Sequence, residues 1–279
     1  LTSLLFLFSR GLSTGISIYA PSIILSSVLN WNIYITNVLT GGILLIYTYV
    51  GGAKAIAHTQ KLQFLIILGT MAFAGYLLIQ NMPDGIGFND ALYLAGKSGK
   101  LNVITTEFDW KDKYNIWSGL IGGFFLALSY FGTDQSQVGR YITAKDNTNA
   151  KMGLLLNGLV KIPMQFAILL IGAMLFAFFS LKPAPIYFNE RSYQHLKEAQ
   201  PEQAAVFEKE HQDLQLKFNA ESKEILKLKE THSPQLQKTI QDFKNTQTQV
   251  KEHHGRVEEA INHSNYTTEK TDTNYIFLY

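Results

Sequence analysis

Five apolar stretches of this 279-residue chain are long enough to cross a lipid bilayer as helices. A hydrocarbon core about 30 Å thick takes roughly 20 helical residues. Backbone polar groups find no water there, so a lipid-exposed segment has to be helical or part of a closed barrel. The length and composition of these stretches predict an all-α membrane protein. They cover about 3–29, 33–50, 60–80, 116–138 and 152–181.

Charge divides the chain into a membrane part and a soluble part. Residues 1–181 hold 11 of the 24 Lys and Arg and 7 of the 22 Asp and Glu, and the last third is rich in both signs. A net charge of +2 gives no support for nucleic-acid binding. The absence of Cys excludes disulfides and thiolate metal sites. The chain starts at Leu1 without a basic signal-peptide region, so we expect a cut end within a longer protein.

Short-loop charge predicts the orientation of the helices. The connections at 51–61 and 140–151 are basic, which places them in the cytoplasm. The connection at 81–115 has five acids against four Lys, and with the tail after 181 it should lie outside. We expect a plasma (bacterial inner) membrane protein with residues 182–274 extracytoplasmic and a short helix near 89–95.

The tail pattern predicts an antiparallel helical hairpin. Apolar residues recur at spacings of three, four or seven, as in a coiled coil, and Thr231–Pro234 breaks them. We expect arms of about 40 Å that stand off the membrane bundle, so that deleting 190–270 leaves function intact. Residues 275–279 turn apolar, as at the start of a further membrane helix. Solvated side chains rather than metal ligands are expected at His211, His253, His254 and His263.

The fourth apolar stretch is interrupted by polar residues within the length that a membrane span requires. The break runs from Ser129 to Arg140. Unpaired polar groups in lipid cost several kcal/mol, so these residues must face protein, ligand or water. We interpret four of them as caps of broken helix ends or as the lining of an inward path: Gly132, Asp134, Gln135 and Gln137.

Two segments resemble the signatures of the sodium:solute symporter family. Residues 47–63 are similar to Tyr-Thr-x-x-Gly-Gly-x-x-Ala-Val-x-Trp-Thr-Asp-x-x-Gln, and 132–141 to Gly-Thr-Asp-Gln-x-x-Val-Gln-Arg-Tyr. Tyr19–Pro21 resembles the branch with monocarboxylate, vitamin and iodide carriers. The resemblance covers about residues 1–181. It implies a leucine-transporter-like fold of two inverted five-helix repeats, present here in part, with the tail as an insertion.

The resemblance also implies a small-molecule solute and Na⁺ near the bilayer midplane. The family's main sodium ligands belong to helices that this chain does not include, so none can be named here. Gln60 stands where the family has Asp, which puts a second sodium in doubt. His58 replaces the usual Trp, and Gly139 replaces the usual Gln.

Three side chains are candidate solute contacts on this resemblance. Lys161 lies near mid-bilayer and needs a partner, which is either the solute or a structural group such as Asp134. Arg10 either snorkels to the cytoplasmic surface or binds a carboxylate, as in carriers of acidic sugars. Tyr130 matches a residue that closes the solute site from inside, although it could simply pack beside Phe131. Arg10 and Lys161 together favour an anionic solute.

Three functions remain open. The first is a cation-coupled secondary transporter that works by alternating access. The second is a symporter-like sensor module of a histidine kinase, and the third is a membrane anchor for the hairpin, whose partner is unknown. An enzyme is not expected, because no catalytic or metal-ligand spacing occurs.

Overall fold

The computed structural model describes residues 2–29, 31–102, 115–142, 146–229 and 234–264, with Asp272, Tyr275 and Ile276. Within these ranges, the side chains at 27, 53–55, 135, 136, 140 and 141 are outside the description. The structure confirms an all-α membrane protein. Its helices are α1 (Thr2–Leu29), α2 (Ile33–Gln80), α3 (Phe88–Lys97), α4 (Ile116–Leu128), α5 (Gln135–Ile142), α6 (Asn147–Leu181), α7 (Glu190–Ala199), α8 (Pro201–Lys227) and α9 (Pro234–His263).

Four segments in the described part of the chain are long and apolar enough to cross a membrane. They are Ile33–Gly52, Ile56–Gln80, Ile116–Thr133 and Asn147–Leu181. They correspond to four of the five predicted spans. The remaining one, α1, is a continuous helix of 28 residues, and its crossing of the bilayer stays a prediction.

The connection expected as a loop at 51–61 is a kink within α2. Gly52 has φ 56° and ψ −163°, and the chain is helical on both sides of it. A side chain at this φ would be strained, whereas glycine adopts it readily. The Tyr47 and Thr59 hydroxyls hydrogen-bond to each other across the kink. The separate loop was therefore a wrong prediction, because one glycine can redirect a helix without ending it.

The chain forms two compact units. The first comprises residues 1–72, 184–216 and 246–279, and the second comprises 73–183 and 217–245. In the first unit α1 lies against α2, where the Ser22 hydroxyl donates to the Asn37 side-chain oxygen at 3.3 Å. Gly41 lies beside the Ile18 side chain. Small residues at such contacts let membrane helices approach closely.

The second unit is held by an apolar cluster that includes the tip of the hairpin. It joins the end of α2, α3, the C-terminal third of α6 and residues 217–245. Our expectation that the hairpin stands off the bundle was therefore wrong: its tip residues are apolar and are buried against α3 and α6. The buried members are Met82, Ala91, Leu94, Met174, Ala177, Leu181, Phe218, Ile225 and Phe243.

An ion pair ties the hairpin tip to α3. The Lys229 ammonium lies 2.9 Å from an Asp90 carboxylate oxygen. The Gly87 backbone N–H donates to the other oxygen at 3.0 Å, at the start of α3. These two donors, the backbone N–H above all, hold the pKa of the Asp90 carboxyl below its usual value. The short helix expected near 89–95 is thus present as α3, and the hairpin tip packs against it.

The two hairpin arms are antiparallel helices, as predicted. In the first unit Arg256 of α9 pairs with Glu210 of α8 at 2.7 Å, and in the second Phe218 stacks on Phe243. Both arms begin with proline, which suits the first position of a helix because its missing N–H has no helical partner there. The predicted seam residues are buried or partly buried along both arms. A coiled coil in the strict sense stays a prediction.

The predicted solvation of the hairpin histidines was wrong for two of them. His253 is 2% exposed, and one of its ring nitrogens lies 3.1 Å from the Phe207 carbonyl. His211 is partly buried, with a ring nitrogen 2.8 Å from the Ala184 carbonyl. The ring centroids of the two are 5.8 Å apart. His211 lies four residues after Phe207, and His253 lies four residues before Val257. Both histidines therefore belong to the seam between the two arms.

Of the other two histidines, His254 is partly buried and partnered, so it is only partly solvated. His254 stacks on Tyr187 and lies 2.8 Å from an Asp272 oxygen, and His263 is exposed. No group of metal-ligating side chains occurs among the described residues. The predicted start of a further membrane helix at 275–279 falls largely outside the described residues.

We expect Phe243→Ala to loosen the hairpin tip. The ring is fully buried and its centroid lies 4.7 Å from that of Phe218. Truncating such a side chain costs about 3–5 kcal/mol. Hydrogen exchange of the α9 amides in the purified full-length protein would measure the loss. Leu216→Ala, at a side chain 63% exposed, is the matched control and should change exchange little.

We also expect the hairpin to lose stability in mild acid. Burial lowers the pKa of the His211 and His253 imidazoles below the usual value. As the pH falls, these imidazoles bind protons in the unfolded chain before they do so in the folded hairpin. The free energy of unfolding therefore decreases as the pH drops from about 6.5 towards the lower pKa values of the folded state. Hydrogen exchange at pH 7.5 and 5.5 would detect this. His253→Gln should flatten the dependence and His263→Gln should not; a pH-independent hairpin would contradict the assignment.

Candidate functional site

The predicted helix break lies directly after α4. Residues Ser129–Thr133 form a π-helical turn, and Asp134 is extended with ψ 108° before α5 begins. The Ser129 carbonyl accepts from the Asp134 N–H at 3.1 Å and from the Thr133 hydroxyl at 2.9 Å. The widened turn therefore keeps its freed backbone oxygen satisfied. Turns of this kind often occur at functional sites.

Asp134 starts the helix beyond the break. Its carbonyl accepts from the backbone N–H groups of Gln137 at 3.0 Å and Val138 at 2.9 Å. Gly132 has no positive φ, and a methyl group there would meet no described atom within 4 Å. The break therefore results from the π turn and from the extended Asp134, and glycine's conformational freedom is not required. The side chain of Gln135 lies outside the described residues.

A side-chain hydrogen bond crosses the break. The Gln137 amide nitrogen donates to the Tyr130 hydroxyl oxygen at 2.7 Å. The Tyr130 ring also packs edge-on against Phe131, with centroids 5.1 Å apart. Because Tyr130 belongs to the π turn and Gln137 to α5, this bond links the two sides of Asp134. It brings together two of the residues predicted from the sequence.

A cleft of about 540 Å³ runs along one face of α6 beside the π turn. Phe131 contributes from the turn, and the other lining residues belong to α6. Three of the lining side chains are polar and four residues are apolar or small. They are Asn157, Lys161 and Gln165, with Phe131, Leu154, Gly158 and Ile162.

Lys161 is exposed in this cleft. It makes no hydrogen bond or ion pair with any described residue, Asp134 included. The structural pairing considered from the sequence is therefore not formed in the described part of the chain. An ammonium held in an apolar helix without a counter-charge is costly and is available to a ligand.

Arg10 lies in the first unit, on helix α1. It is partly buried on α1, with its guanidinium 5.5 Å from the centre of the Phe6 ring. A cation over an aromatic face is a favourable arrangement. Both interpretations of Arg10, snorkelling and carboxylate binding, stay predictions.

Sequence analysis missed two residues of the cleft, Asn157 and Gln165. They lie four residues on either side of Lys161, so they share its helix face. That spacing was visible in the sequence. It was overlooked because each amide was considered alone within an apolar run rather than together with the lysine.

The described residues thus combine long apolar helices, typical of an integral membrane protein, with one helix interrupted beside a partly polar cleft. The sodium:solute symporter family matches residues 1–206, and the chain belongs to that family. The match extends beyond the five spans through α7 and into α8. The family and the matched relatives are transporters and not enzymes, in agreement with the prediction.

Three curated relatives each match more than half of the chain. The Homo sapiens sodium/iodide cotransporter is 32% identical over 158 residues, which are 56% of this chain and 24% of that protein. The Mus musculus sodium-coupled monocarboxylate transporter 2 is 30% identical over 157 residues, 56% and 25% of the two chains. The Oryctolagus cuniculus sodium-dependent multivitamin transporter is 28% identical over 183 residues, 64% and 28%.

The chain spans about a quarter of the length of these relatives. No solved structure matches it.

We expect the Tyr130–Gln137 bond to stabilise the break. Tyr130→Phe and Gln137→Leu should each lower stability, and in a double-mutant cycle they should couple by about 0.5–1.5 kcal/mol. Hydrogen exchange of the α5 amides in the full-length protein would report the effect. Tyr49→Phe, at a residue 92% exposed, is the control. Strictly additive effects would show that the bond contributes nothing.

Proposed function

We propose that the protein is a sodium-coupled secondary transporter that carries a small organic solute, anionic in character, by alternating access. One observation carries the proposal: Lys161 lines a cleft beside a broken membrane helix and has no partner among the described residues. Membership in the family supports transport, and sodium is its coupling ion.

The depth of Lys161 supports a solute contact over snorkelling. The outer part of α6 is buried against soluble elements through Met174, Ala177 and Leu181, so its bilayer segment lies N-terminal to them. A bilayer-crossing segment of about 20 residues that ends just before Met174 has its midpoint close to Lys161. A side chain at that depth cannot easily reach either surface, and its charge needs an anion or an aqueous cleft.

The broken helix supports the alternating-access step. Tyr130 is proposed to close the solute cleft from the inside, with Gly132, Asp134, Gln135 and Gln137 along the inward path. Release of the Gln137 bond to the Tyr130 hydroxyl would free the ring to move. Arg10 is proposed as a second contact for the solute's carboxylate, since a guanidinium binds carboxylates through two parallel hydrogen bonds.

The proposed architecture is part of two inverted five-helix repeats, with residues 182–274 as an extracytoplasmic insertion in the plasma membrane protein. Loop charge supports this orientation. The packing of α3 against residues 217–245 supports it too, because both segments then lie on one side of the bilayer. The sodium ligands are proposed to lie largely outside this chain. Gln60 supplies no carboxylate for a second sodium.

Uptake by the full-length protein in proteoliposomes tests the proposal. Butyrate and acetate are suitable first probes, since relatives are named for monocarboxylate transport. The proposal requires that an inward sodium gradient drive uptake of at least one anion. Anion binding without any uptake would favour the sensor module, and neither binding nor uptake would favour the anchor.

We expect Lys161→Ala to weaken solute affinity more than about tenfold, or 1.4 kcal/mol. The loss follows from removing the one cation of the cleft lining. Sodium-dependent uptake measured against solute concentration would show it as a raised half-saturation value. Lys151→Ala, at an exposed lysine near the start of the same helix, is the control. Equal affinities of wild type and Lys161→Ala would refute the contact.

A further inference from the structure

The polar side chains of the cleft form a row along α6. Asn157, Lys161 and Gln165 are spaced by four residues, so neighbours in the row lie about 6 Å apart at their Cβ atoms. The row as a whole spans about 12 Å at 1.5 Å per residue. A cation is thus flanked on both sides by an amide, and all three face the same cleft.

Neither amide is hydrogen-bonded within the described part of the chain. Asn157 and Gln165 are exposed and make no hydrogen bond with any described residue. The hydroxyls of other membrane helices behave differently: Thr14 donates to the Arg10 carbonyl at 2.9 Å, and Thr70 to that of Ile66 at 2.8 Å. A short hydroxyl side chain can satisfy itself on its own helix, whereas these two amides have not done so.

The lining limits which ligand suits the row. An amide both donates and accepts, so it pairs with a hydroxyl, carbonyl or amide group. Phe131, Leu154 and Ile162 supply an apolar wall for a carbon skeleton. No described lining residue is acidic, so an ammonium group on the ligand would find no counter-charge. The volume is within the usual range for small-molecule sites.

We propose that Asn157 and Gln165 are specificity-determining residues, and that they select a small carboxylate with a second, uncharged hydrogen-bonding group within about 6 Å of its carboxylate. The carboxylate binds the Lys161 ammonium, and one of the two amides binds the second group. This inference rests on the proposed function and adds a solute class and two residues to it. A solute that lacks the second group leaves these amides without a hydrogen-bond partner, and this lowers its affinity.

Three probes on one four-carbon skeleton test the inference: butyrate, 4-hydroxybutyrate and 4-aminobutyrate. Sodium-driven uptake by full-length protein in proteoliposomes should favour 4-hydroxybutyrate over each of the other two about tenfold or more. In Asn157→Leu or Gln165→Leu the ratio of 4-hydroxybutyrate uptake to butyrate uptake should fall at least threefold. Lys161→Ala should lose uptake of both butyrate and 4-hydroxybutyrate.

Controls separate specificity from misfolding. Gln165→Asn should retain part of the preference, and Gln80→Leu, at an exposed amide at the end of α2, should leave it intact. An unchanged ratio in both leucine variants overturns the inference, as does a preference for butyrate or 4-aminobutyrate. Sodium-driven uptake of acetate, which lacks a second hydrogen-bonding group, with no uptake of the three probes overturns the inference but leaves the proposed function standing. No sodium-driven uptake of any anion overturns both.

Discussion

The cost of an unpaired polar group in hydrocarbon governs the membrane part of this chain. Each such group costs several kcal/mol, so the long apolar segments are helices that satisfy their own backbone. Exceptions occur where the helix itself is interrupted or where a polar side chain faces a cleft. Gly52 and the segment Ser129–Asp134 are two such interruptions among the described residues, and α6 carries the polar row. The candidate site lies where the second interruption meets that row.

The two interruptions solve the same problem differently. At Gly52 a single positive φ redirects the helix, and the Tyr47 and Thr59 hydroxyls pair across the bend. After α4 the helix widens into a π turn, and the Ser129 carbonyl accepts two local donors. Both interruptions fall on segments that resemble the family signatures. Hydroxyls in those segments therefore satisfy local backbone groups: Thr133 donates to the Ser129 carbonyl and Thr59 to that of Ile56.

The hairpin is stabilised differently from the membrane helices, because apolar side chains of its two arms pack together and are buried from water. Its tip is apolar enough to share a core with α3 and the C-terminal end of α6, through Phe218 and Phe243. Its base is more polar: His253 is buried, and its ring approaches that of His211. Phe207 and Val257 of the base belong to a separate small cluster that includes Tyr187. The hairpin is thus an integral part of the folded protein and not a detached arm.

The sequence by itself determined the helical class, four of the apolar spans, the break after α4, the helical arms and the family, because hydrophobic length, proline positions and local motifs are properties of neighbouring residues. It also identified Lys161 as a charge that needs a partner. Only the tertiary structure decided that Asp134 is not that partner, that Asn157 and Gln165 share its cleft with Phe131, and that the hairpin tip packs on α3. These are relations between residues distant in sequence or around a helix. An apolar run looks the same whether it faces lipid, protein or a solute, so periodicity alone could not reveal them.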